Sequence, residues 1–464
     1  MNYQDLFARF GGRDTPARAG LIGVGQFGRT LLMQSLRVDS FDLCILCDLD
    51  IDRLKETCRS VGLGDDDFAV ADTAAAADAA IAAGKLALTL DPEIATGAPI
   101  DVLVESTGNA EAGARNCLRA IEHGCHVTLV NKETDSVVGP ALSERARREG
   151  LVVSQVDGDQ PSLLLGLLSW AEVLGLEVAC AGKASEYDFV FDPDRSRVRV
   201  EGEGGEVDFD PALWRLSSGE LEASLAARSE ALAALPQRTP PDYCEMCLVA
   251  NASGLKPDRP DLHAPVARLS ELPGIFRPSG EGGVLGSGRL DIFNCFRRTD
   301  EIGAAGGVFI VVRIPDEDTG ALFGAKGMPV SADGKHLLVY NPTHLLGVEA
   351  GLSIVVPHRL GLPTGRAEVS PVCDVGMISA TNLPAGTELS DHGQHHHRIE
   401  GVEARLLDYT PVSGSSPLPY FMAMGTVLLR DVSAGQLITK DDIRSPEDSV
   451  LWQLRSEQDA AFAG

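Results

Sequence analysis

Short apolar runs alternate with stretches of helical periodicity along the first 156 residues. The runs at 19–24, 43–47, 101–106, 126–130 and 151–154 are typical of buried strands. Helical spacing between them predicts helices at 30–36, 73–83, 110–122 and 140–149, and we expect Pro140 to open the last of these. Strands that alternate with helices predict an α/β domain with a parallel, doubly wound sheet over residues 1–156.

The pattern changes after residue 156. Helices are predicted at 161–174, 219–234 and 242–252, strands at 176–181, 307–314 and 336–340, and charged, irregular chain over most of 185–240. This mixture predicts an α+β middle domain over residues 157–366 that completes the site. Two similar segments, ISATNLPAGTELSD (378–391) and VLLRDVSAGQLITKD (427–441), predict a small, mostly-β domain over residues 367–464.

Composition and charge narrow the classes of partner. The 464 residues carry 40 basic and 67 acidic side chains, and the net charge of −27 disfavours nucleic acid and anionic membrane as partners. We expect no membrane span, because no apolar run reaches the roughly 18 residues that a membrane helix needs. The N-terminus lacks the pattern of a signal peptide, and ten cysteines in this length indicate reduced thiols, so we expect a cytoplasmic protein. A small-molecule substrate remains the expected partner.

Three glycines follow the first predicted strand, in the sequence LIGVGQFGR (21–29). In a dinucleotide fold, Gly23 permits the tight turn, Gly25 lets a pyrophosphate approach the backbone, and Gly28 lets the helix pack on the strand. Gln26 and Phe27 then begin the helix, whose free N–H groups and dipole attract phosphate. The motif predicts a Rossmann-type nucleotide site, and a close-packed turn without a ligand is the alternative.

The residues near this motif do not decide whether the nucleotide carries a free 2′-hydroxyl or a 2′-phosphate. Asp48 follows the second predicted strand, 20 residues after Gly28, where a carboxylate can hold a free ribose diol. Arg29 and Arg53 are close enough in sequence to neutralise a 2′-phosphate, although either could be a solvated surface residue. NAD and NADP therefore both fit.

Nine segments, in their order and spacing, resemble the homoserine dehydrogenase-like oxidoreductases that carry a C-terminal SAF (antifreeze/sialic-acid-synthase type) domain. The resemblance spans nearly the whole chain and implies an NAD(P)-dependent oxidoreductase and a homodimer. It favours NADP, because the group includes 1-deoxy-D-xylulose 5-phosphate reductoisomerase-like enzymes, which use NADPH. The segments are GLIGVGQFGR (20–29), VLVESTGNAEAG (102–113), HVTLVNKETD (126–135), GDQPSLL (158–164), AGKASEY (181–187), EMCLVANASGL (245–255), RPSGEGGVL (277–285), HLLGVEAGLSI (344–354) and RDVSAGQ (430–436).

Two lysines and a glutamate are the candidates for catalytic groups. Reduction of a carbonyl by a nicotinamide needs a cation or acid near the oxygen, on which negative charge develops. Lys132 (LVNKE) resembles the lysine of the homoserine dehydrogenase NK motif, and Lys183 (AGK) is placed similarly by the group's pattern. Glu245, on a predicted helix, could act as an acid or a metal ligand. Surface lysines and a salt-bridged helix glutamate are the alternatives.

Further polar residues are predicted to contact cofactor or substrate. Thr107, Gly108 and Asn109 follow the strand DVLVES, in the turn that passes the nicotinamide in such folds, although Asn109 could instead cap the next helix. The residues predicted to bind substrate are Asp159, Gln160, Asn251 and His344. Helix capping or core packing is the alternative role for these residues.

Two departures from the group's pattern bear on the substrate. Where the group's AGK motif continues with a further lysine, this chain has Glu186, and Asn341 replaces an arginine near the His344 motif. Fewer cations weaken the case for a phosphorylated substrate. No metal site is visible in the spacing, although an isomerisation would need a divalent metal. The tract His395–His397 is expected to be a solvated loop.

The leading hypothesis is an NAD(P)-dependent oxidoreductase that acts on a small polar carbonyl or alcohol. A sugar-phosphate reductoisomerase and a homoserine-type dehydrogenase are its narrower versions. A nucleotide-sensing binding protein that transfers no hydride is the alternative from another class. A lyase or carbohydrate-binding module built on the SAF-like domain is a third.

Overall fold

The computed structural model describes residues 2–12, 14–202, 204–217, 219–393 and 396–462. Its first part contains seven strands, which are β1 (Ala17–Ile22), β2 (Phe41–Cys47), β3 (Phe68–Val70), β4 (Leu86–Thr89), β5 (Val102–Glu105), β6 (His126–Leu129) and β7 (Val153–Gln155). The helices of this part are α1 (Tyr3–Phe10), α2 (Gln26–Ser35), α3 (Ile51–Ser60), α4 (Ala74–Ala82), α5 (Pro92–Gly97), α6 (Ala110–Glu122) and α7 (Lys132–Arg148).

The seven strands form one sheet in the order β3-β4-β2-β1-β5-β6-β7, and every pair in it is parallel. The strands are short and, apart from β3, largely buried. Apolar runs predicted five of them, and β3 and β4 were missed. The chain winds outward from β1 to one side and then continues from β5 to the other. Such a reversal leaves a crevice at the carboxyl ends of β1 and β5. The prediction of a doubly wound α/β fold is confirmed.

A second sheet forms the middle part, in the order β10-β9-β8-β12-β11, and β13 pairs with β8 and β14. Its strands are β8 (Val178–Asp192), β9 (Arg197–Val200), β10 (Glu206–Asp208), β11 (Val266–Ala267), β12 (Leu290–Arg298), β13 (Val308–Arg313) and β14 (His336–Asn341). The helices are α8 (Gln160–Val173), α9 (Leu221–Ala231), α10 (Pro240–Ser253), α11 (Leu272–Ile275), α12 (Glu317–Ala325) and α13 (Gly351–Leu360). Helix α10 packs on α7 and α8, and so joins the two sheets.

Strand β8 is much longer than predicted. The prediction of irregular chain from residue 185 was wrong, because β8 continues through Glu186 to Asp192. The second half of β8 pairs with β12 on one side and with β9 on the other. Asp188 in this half is balanced by Arg297 of β12, whose Nε lies 2.8 Å from its Oδ2. Apolar residues do recur at every second position of this half, since Tyr187, Phe189 and Phe191 are buried in one cluster, so the signal of a strand was present and was missed.

Pro140 lies inside α7, and the prediction that it opens a helix was wrong. A proline in a helix leaves the carbonyl four residues earlier without its N–H partner. Here the Sγ atom of Cys247 lies 3.8 Å from that carbonyl oxygen, of Ser136, although the carbonyl oxygen of Cys373 is the closer acceptor of its single S–H, at 3.2 Å. The next backbone N–H, of Ala141, donates to Oε1 of Gln458 at 3.1 Å. Side chains from other helices thus contact the backbone groups around Pro140.

The last part contains four short strands and two helices: β15 (Cys373–Ser379), β16 (Glu388–Leu389), β17 (Val402–Asp408), α14 (Tyr420–Ala423), β18 (Thr426–Val427) and α15 (Val450–Phe462). The two similar sequence segments lie against each other, since β16 pairs with β18 and Leu383 forms a bridge with Val432. Helix α15 packs on α6 and α7, and α13 packs on β1, β5 and β6. Helix α13 therefore covers the first sheet directly, and α15 lies on two of the helices that flank it, although both lie beyond the predicted limit of this domain at residue 156.

Candidate active site

The glycine turn, residues 23–28, connects β1 to α2 at the crevice of the first sheet. Gly23 has φ of +90°, and a Cβ atom there would lie 2.5 Å from the carbonyl oxygen of Ser106. A Cβ atom on Gly28 would lie 2.8 Å from the oxygen of Gly23, so Gly28 allows α2 to pack on β1. A Cβ atom on Gly25 would meet nothing within 4 Å. The turn is thus tight on its inner side and open at Gly25.

The open side of the turn meets the first N–H groups of α2. Gly25 is the N-cap residue of this helix, and no described side chain caps it. The N–H groups of Gln26 and Phe27 therefore stand at an uncapped helix end, which attracts anions. This arrangement fits the pyrophosphate of a dinucleotide, which the sequence predicted for this turn.

Asp48 and Arg53 both contact the backbone of Val24 in the glycine turn. The Oδ2 atom of Asp48 accepts from the N–H of Val24 at 2.7 Å, and its Oδ1 accepts from the N–H of Leu49 at 2.7 Å. The Nη2 atom of Arg53 donates to the carbonyl of Val24 at 3.3 Å. A carboxylate and a guanidinium thus lie beside the same turn, as predicted from sequence, and neither position selects between a ribose diol and a 2′-phosphate.

A second turn, residues 106–109, follows β5 and touches the glycine turn through Ser106. The Oγ1 atom of Thr107 donates to Glu105 at 2.6 Å, and Asn109 caps α6 by accepting from the N–H of Ala112 at 2.9 Å. The amide of Asn131 then donates to Thr107 Oγ1 at 3.1 Å and to the carbonyl of Asn109 at 3.0 Å. Because Asn131 immediately precedes Lys132, this network links the glycine turn to the predicted catalytic lysine.

The structure brings the three predicted catalytic residues into direct contact. Lys132 begins α7, Lys183 lies in β8 and Glu245 lies in α10. One carboxylate oxygen of Glu245 accepts from Nζ of Lys132, and the other accepts from Nζ of Lys183. The side chains of Lys183 and Glu245 are fully buried, whereas 22% of the Lys132 side chain is exposed. Glu245 therefore bridges a buried lysine and a lysine that reaches solvent.

Three further carboxylates complete what we call the lysine cluster: Lys132, Asp159, Lys183, Glu186, Asp242 and Glu245. Lys183 Nζ lies 3.0 Å from Oδ1 of Asp242 and 3.5 Å from Oε1 of Glu186. Lys132 Nζ lies 3.4 Å from Oδ2 of Asp159. The two amide atoms of Gln160 lie 3.4 Å from Glu186 and 3.3 Å from Glu245. Four carboxylates thus surround two lysines.

The pKa shifts in this cluster follow from burial and from pairing. Burial alone would lower the pKa of Lys132, but Asp159, Glu245 and Glu186 outweigh it and raise that pKa well above its usual value. Burial opposes ionisation of Glu186, yet Lys183 and Lys132 lower its pKa to about 2. For Glu245, burial outweighs both lysines and raises the pKa. Lys132 is therefore a charged donor at neutral pH, and burial makes Glu245 easier to protonate than an ordinary glutamate.

The predicted substrate residues divide into two groups. Asp159 and Gln160 belong to the cluster or contact it, and His344 lies beside it, with Nδ1 3.1 Å from the carbonyl oxygen of Gly306. Asn251 does not join them. Its Oδ1 accepts from the backbone N–H groups of Val372 and Cys373 at 2.7 and 2.9 Å. In the structure Asn251 attaches α10 to the last part of the chain.

Two residues of the site were not predicted from sequence as functional. Asp242 lies three residues before Glu245 in α10, a spacing that places both carboxylates on one face of the helix, and this spacing was the available signal. Glu105 ends β5, and burial raises its pKa to about 7. A charged residue at the end of an otherwise apolar strand was the signal there. Glu186 was noted only as a departure from the family pattern.

The histidine tract is not the solvated loop that was expected, as far as it is described; His395 lies outside the described residues. His397 Nδ1 lies 2.8 Å from Asp391 and its Nε2 lies 3.2 Å from Glu133, the residue after Lys132. Burial opposes protonation, but Glu133 and Asp391 raise the pKa of His397 to about 9. A charged histidine thus fastens the last part of the chain to the start of α7.

Within the described ranges, no group of three or more His, Cys, Asp or Glu side chains is arranged to hold a metal ion. No helix in the described part of the chain is both long and apolar enough to cross a membrane.

Comparison with known proteins gives one family match. Residues 237–350 match the model of the catalytic domain of the oxidoreductase family DRL. The matched range contains Asp242, Glu245 and His344. The match confirms the expectation of an enzyme of the oxidoreductase kind, and it covers too little of the chain to establish membership of the family. No curated protein matches this chain.

Solved structures of nicotinamide enzymes show distant likenesses. The 1-deoxy-D-xylulose 5-phosphate reductoisomerase of Zymomonas mobilis, in complex with NADPH, matches 51% of this chain and 58% of its own at 16% identity, with a TM-score of 0.29. The biliverdin reductase of Synechocystis sp. PCC 6803, in complex with biliverdin and NADP⁺, matches 39% and 50% at 16% identity, with a TM-score of 0.26. The UDP-N-acetylglucosamine 3-dehydrogenase of Acidithiobacillus ferrooxidans matches 38% and 48% at 16% identity, with a TM-score of 0.24. The chain thus spans about half the length of these proteins, and such low scores carry no argument about function.

Proposed function

We propose that this protein is an NAD(P)-dependent oxidoreductase that reduces a small polar carbonyl compound or oxidises the corresponding alcohol. One observation carries the proposal. The predicted nucleotide turn and the predicted catalytic lysine, more than 100 residues apart in sequence, are linked by the contacts of Ser106, Thr107 and Asn131. A cofactor seated on the turn would therefore face the lysine cluster across the crevice of the sheet.

The cofactor site is built mainly from backbone. Gln26 and Phe27 would bind the pyrophosphate through their N–H groups, and Gly25 leaves the space for it. Asp48 would hold the adenosine ribose, with Arg53 nearby for a 2′-phosphate, and the turn at residues 107–109 would line the nicotinamide. A bound reduced nicotinamide supplies the hydride. The resemblance to the reductoisomerase-like group favours NADP over NAD.

Lys132 is the group that we place against the substrate oxygen. Lys132 is the first residue of α7, at the crevice, and its charged ammonium reaches solvent. When the carbonyl carbon accepts a hydride, the oxygen becomes negative, and the ammonium stabilises it and donates a proton to it. Lys183 has no exposed surface, so it acts through Glu245 as a positioning residue. Glu245 orients the ammonium of Lys132 by accepting from it, and Lys132 regains its proton from the solvent that its side chain reaches.

The charge of the cluster favours an uncharged or cationic substrate over a phosphorylated one. Four carboxylates face two lysines, and Glu186, which is 31% exposed, is ionised at neutral pH. A phosphate placed beside Glu186 would be repelled. This repulsion argues against a sugar-phosphate reductoisomerase. Of the two specific activities considered, a homoserine-type dehydrogenase therefore has the better support. We also propose a homodimer, and the family resemblance is its sole support.

The test is turnover with a panel of small carbonyls. Purified protein would be mixed with NADPH or NADH and Mg²⁺, and the absorbance of the reduced nicotinamide would be followed. The panel includes aspartate semialdehyde, 1-deoxy-D-xylulose 5-phosphate and uncharged hydroxyketones and hydroxyaldehydes. We expect oxidation of the cofactor with an unphosphorylated compound, and we expect Lys132→Met to slow it by about 10³-fold.

A sensor that transfers no hydride gives a different result. Such a protein would bind NADPH tightly, would turn over no compound of the panel, and would bind equally well after Lys132→Met. Lys326→Met is the matched control, because Lys326 is an exposed lysine at the end of α12. Turnover that survives Lys132→Met unchanged would contradict the role given to the lysine cluster.

A further inference from the structure

A loop over residues 342–350 connects β14 to α13, and it begins beside the lysine cluster. His344 holds this end, with Nδ1 3.1 Å from the carbonyl oxygen of Gly306. The two segments touch closely, since a Cβ atom on Gly306 would lie 2.4 Å from the His344 ring. The amide of Gln160, which contacts Glu186, lies 3.6 Å from the same position. The loop therefore starts at the place where the substrate would be held.

The other end of the loop rests on the first turns of α2. A Cβ atom on Gly347 would lie 2.9 Å from the carbonyl oxygen of Phe27 and 2.9 Å from Cβ of Thr30. Glu349 adds a second attachment, because its Cβ would lie 2.5 Å from a Cβ atom on Gly158. The Oε2 atom of Glu349 also accepts from the N–H of Leu345 at 3.2 Å. The segment between His344 and Gly347 thus spans the interval from the lysine cluster to the glycine turn.

The two residues in that interval are large, apolar and exposed. The exposed fractions are 52% for Leu345 and 37% for Leu346. Exposed apolar side chains in a loop whose ends are both fixed indicate a surface that a ligand covers. The position of Leu345 and Leu346 indicates which part of the ligand would cover them. The pyrophosphate lies at the start of α2, the reacting carbonyl lies at Lys132, and the nicotinamide must lie between them.

We propose that Leu345 and Leu346 form the apolar wall on which the nicotinamide ring of the bound dinucleotide packs. The proposal rests on the proposed function, since it needs a dinucleotide at the glycine turn. An apolar wall excludes water from one face of the ring and leaves the opposite face free for the substrate. The loop would thus bind the nicotinamide ring, whereas the glycine turn binds the pyrophosphate and the lysine cluster contacts the substrate.

The test compares two ligands that differ only in the nicotinamide. Affinities for NADPH and for 2′-phospho-ADP-ribose, which lacks the nicotinamide, would be measured by titration calorimetry, with NADH and ADP-ribose as a second pair. We expect the double variant Leu345→Asn/Leu346→Asn to bind NADPH about tenfold more weakly and to bind 2′-phospho-ADP-ribose as the unmodified protein does. The fluorescence of bound NADPH should shift toward that of free NADPH.

Controls separate this inference from the proposed function. Val173→Asn changes a side chain that is 84% exposed at the end of α8, and it should leave all four affinities unchanged. Leu346→Ala alone provides a milder variant if the double variant is less stable, and it should show the same selective loss at a smaller size. Equal weakening of both ligands, or no change in either, would overturn the role of the wall. If the unmodified protein binds neither ligand, the dinucleotide site itself is wrong, and the wall falls with it.

Discussion

The glycine turn offers backbone N–H groups and empty space, whereas the lysine cluster offers charged side chains that already bind one another. The turn comes from six consecutive residues, 23–28, in which Gly23 and Gly28 avoid close contacts and Gly25 leaves open space. The cluster comes from four separate segments, at Lys132, Asp159, residues 183–186 and residues 242–245. A local motif can therefore specify the first site, and only the fold can assemble the second.

The difference in construction predicts a difference in function. Substitutions in the turn should change cofactor affinity with little effect on the chemical step. Substitutions at the exposed edge of the cluster should change the chemical step with little effect on cofactor affinity.

The largest effect is expected for Lys132→Met. Loss of the ammonium removes both the charge that stabilises the substrate oxygen and the donated proton, so kcat should fall by about 10³-fold. Affinity for NADPH should change less than about twofold, since the phosphates bind at another element. Rapid mixing and calorimetric titration would check these values. A large fall in cofactor affinity would show that the two sites are not separate.

The next effect separates two glycines of the same turn. Gly25→Val should weaken NADPH binding by about 100-fold, which corresponds to about 2.7 kcal/mol, and should leave the melting temperature unchanged because the side chain enters empty space. Gly23→Ala should instead destabilise the fold by about 2 kcal/mol, because its φ of +90° disfavours a side chain and the Cβ would meet Ser106. Thermal unfolding and ligand titration distinguish them. Equal effects of both substitutions on stability would contradict the assignment.

A smaller effect is expected from the ion pairs of His397. Its pKa is raised to about 9 in the folded protein, from about 6.5 when unfolded, so its stabilising contribution is full below pH 6.5 and is lost as pH rises through 9. We expect about 2 kcal/mol of stability to disappear across this window, and His397→Gln to flatten that part of the curve. Urea unfolding between pH 6 and 9.5 measures both. A curve that keeps the same slope in His397→Gln would exclude these ion pairs as its source.

The smallest effect is expected at Glu105, beneath the turn at residues 106–109. Burial raises its pKa to about 7, so the folded state holds this proton more tightly than the unfolded chain does and loses stability as pH rises through 7. Glu105→Gln should therefore be more stable than the unmodified protein by about 1 kcal/mol at pH 8, and no more stable at pH 4.5. Glu122→Gln, an exposed substitution in α6, is the control and should show no difference at either pH.

Local periodicity and turn chemistry account for what could be predicted from sequence. Apolar runs identified five of the seven strands of the first sheet, all except β3 and β4. The spacing of Gly23, Gly25 and Gly28 predicted the nucleotide turn, because the causes of both features lie within a few residues. Pro140 was placed wrongly because the partners that tolerate it inside a helix, Cys247 and Gln458, come from distant parts of the chain. The length of β8 was missed because acidic residues among Tyr187, Phe189 and Phe191 suggested an irregular loop. The partner that accommodates Asp188 in the strand, Arg297, comes from β12 and is distant in sequence.

The candidate site divides in the same way. Lys132, Lys183 and Glu245 were chosen separately, and nothing in the sequence indicated that Glu245 would bridge the two lysines. Asn251 was chosen as a substrate residue, but its carbonyl oxygen is used by the backbone of Val372 and Cys373, more than 100 residues away. Such pairings depend on tertiary contacts and cannot be read from spacing.

The central claim is that the glycine turn and the lysine cluster are two halves of one active site, and a crystal structure of the complex with NADPH tests it most directly. The account predicts pyrophosphate oxygens at the N–H groups of Gln26 and Phe27, and the nicotinamide C4 atom within about 7 Å of Lys132 Nζ, which leaves room for one carbonyl group between them. A nicotinamide ring that points away from Lys132, or a dinucleotide bound at another edge of the sheet, would contradict it.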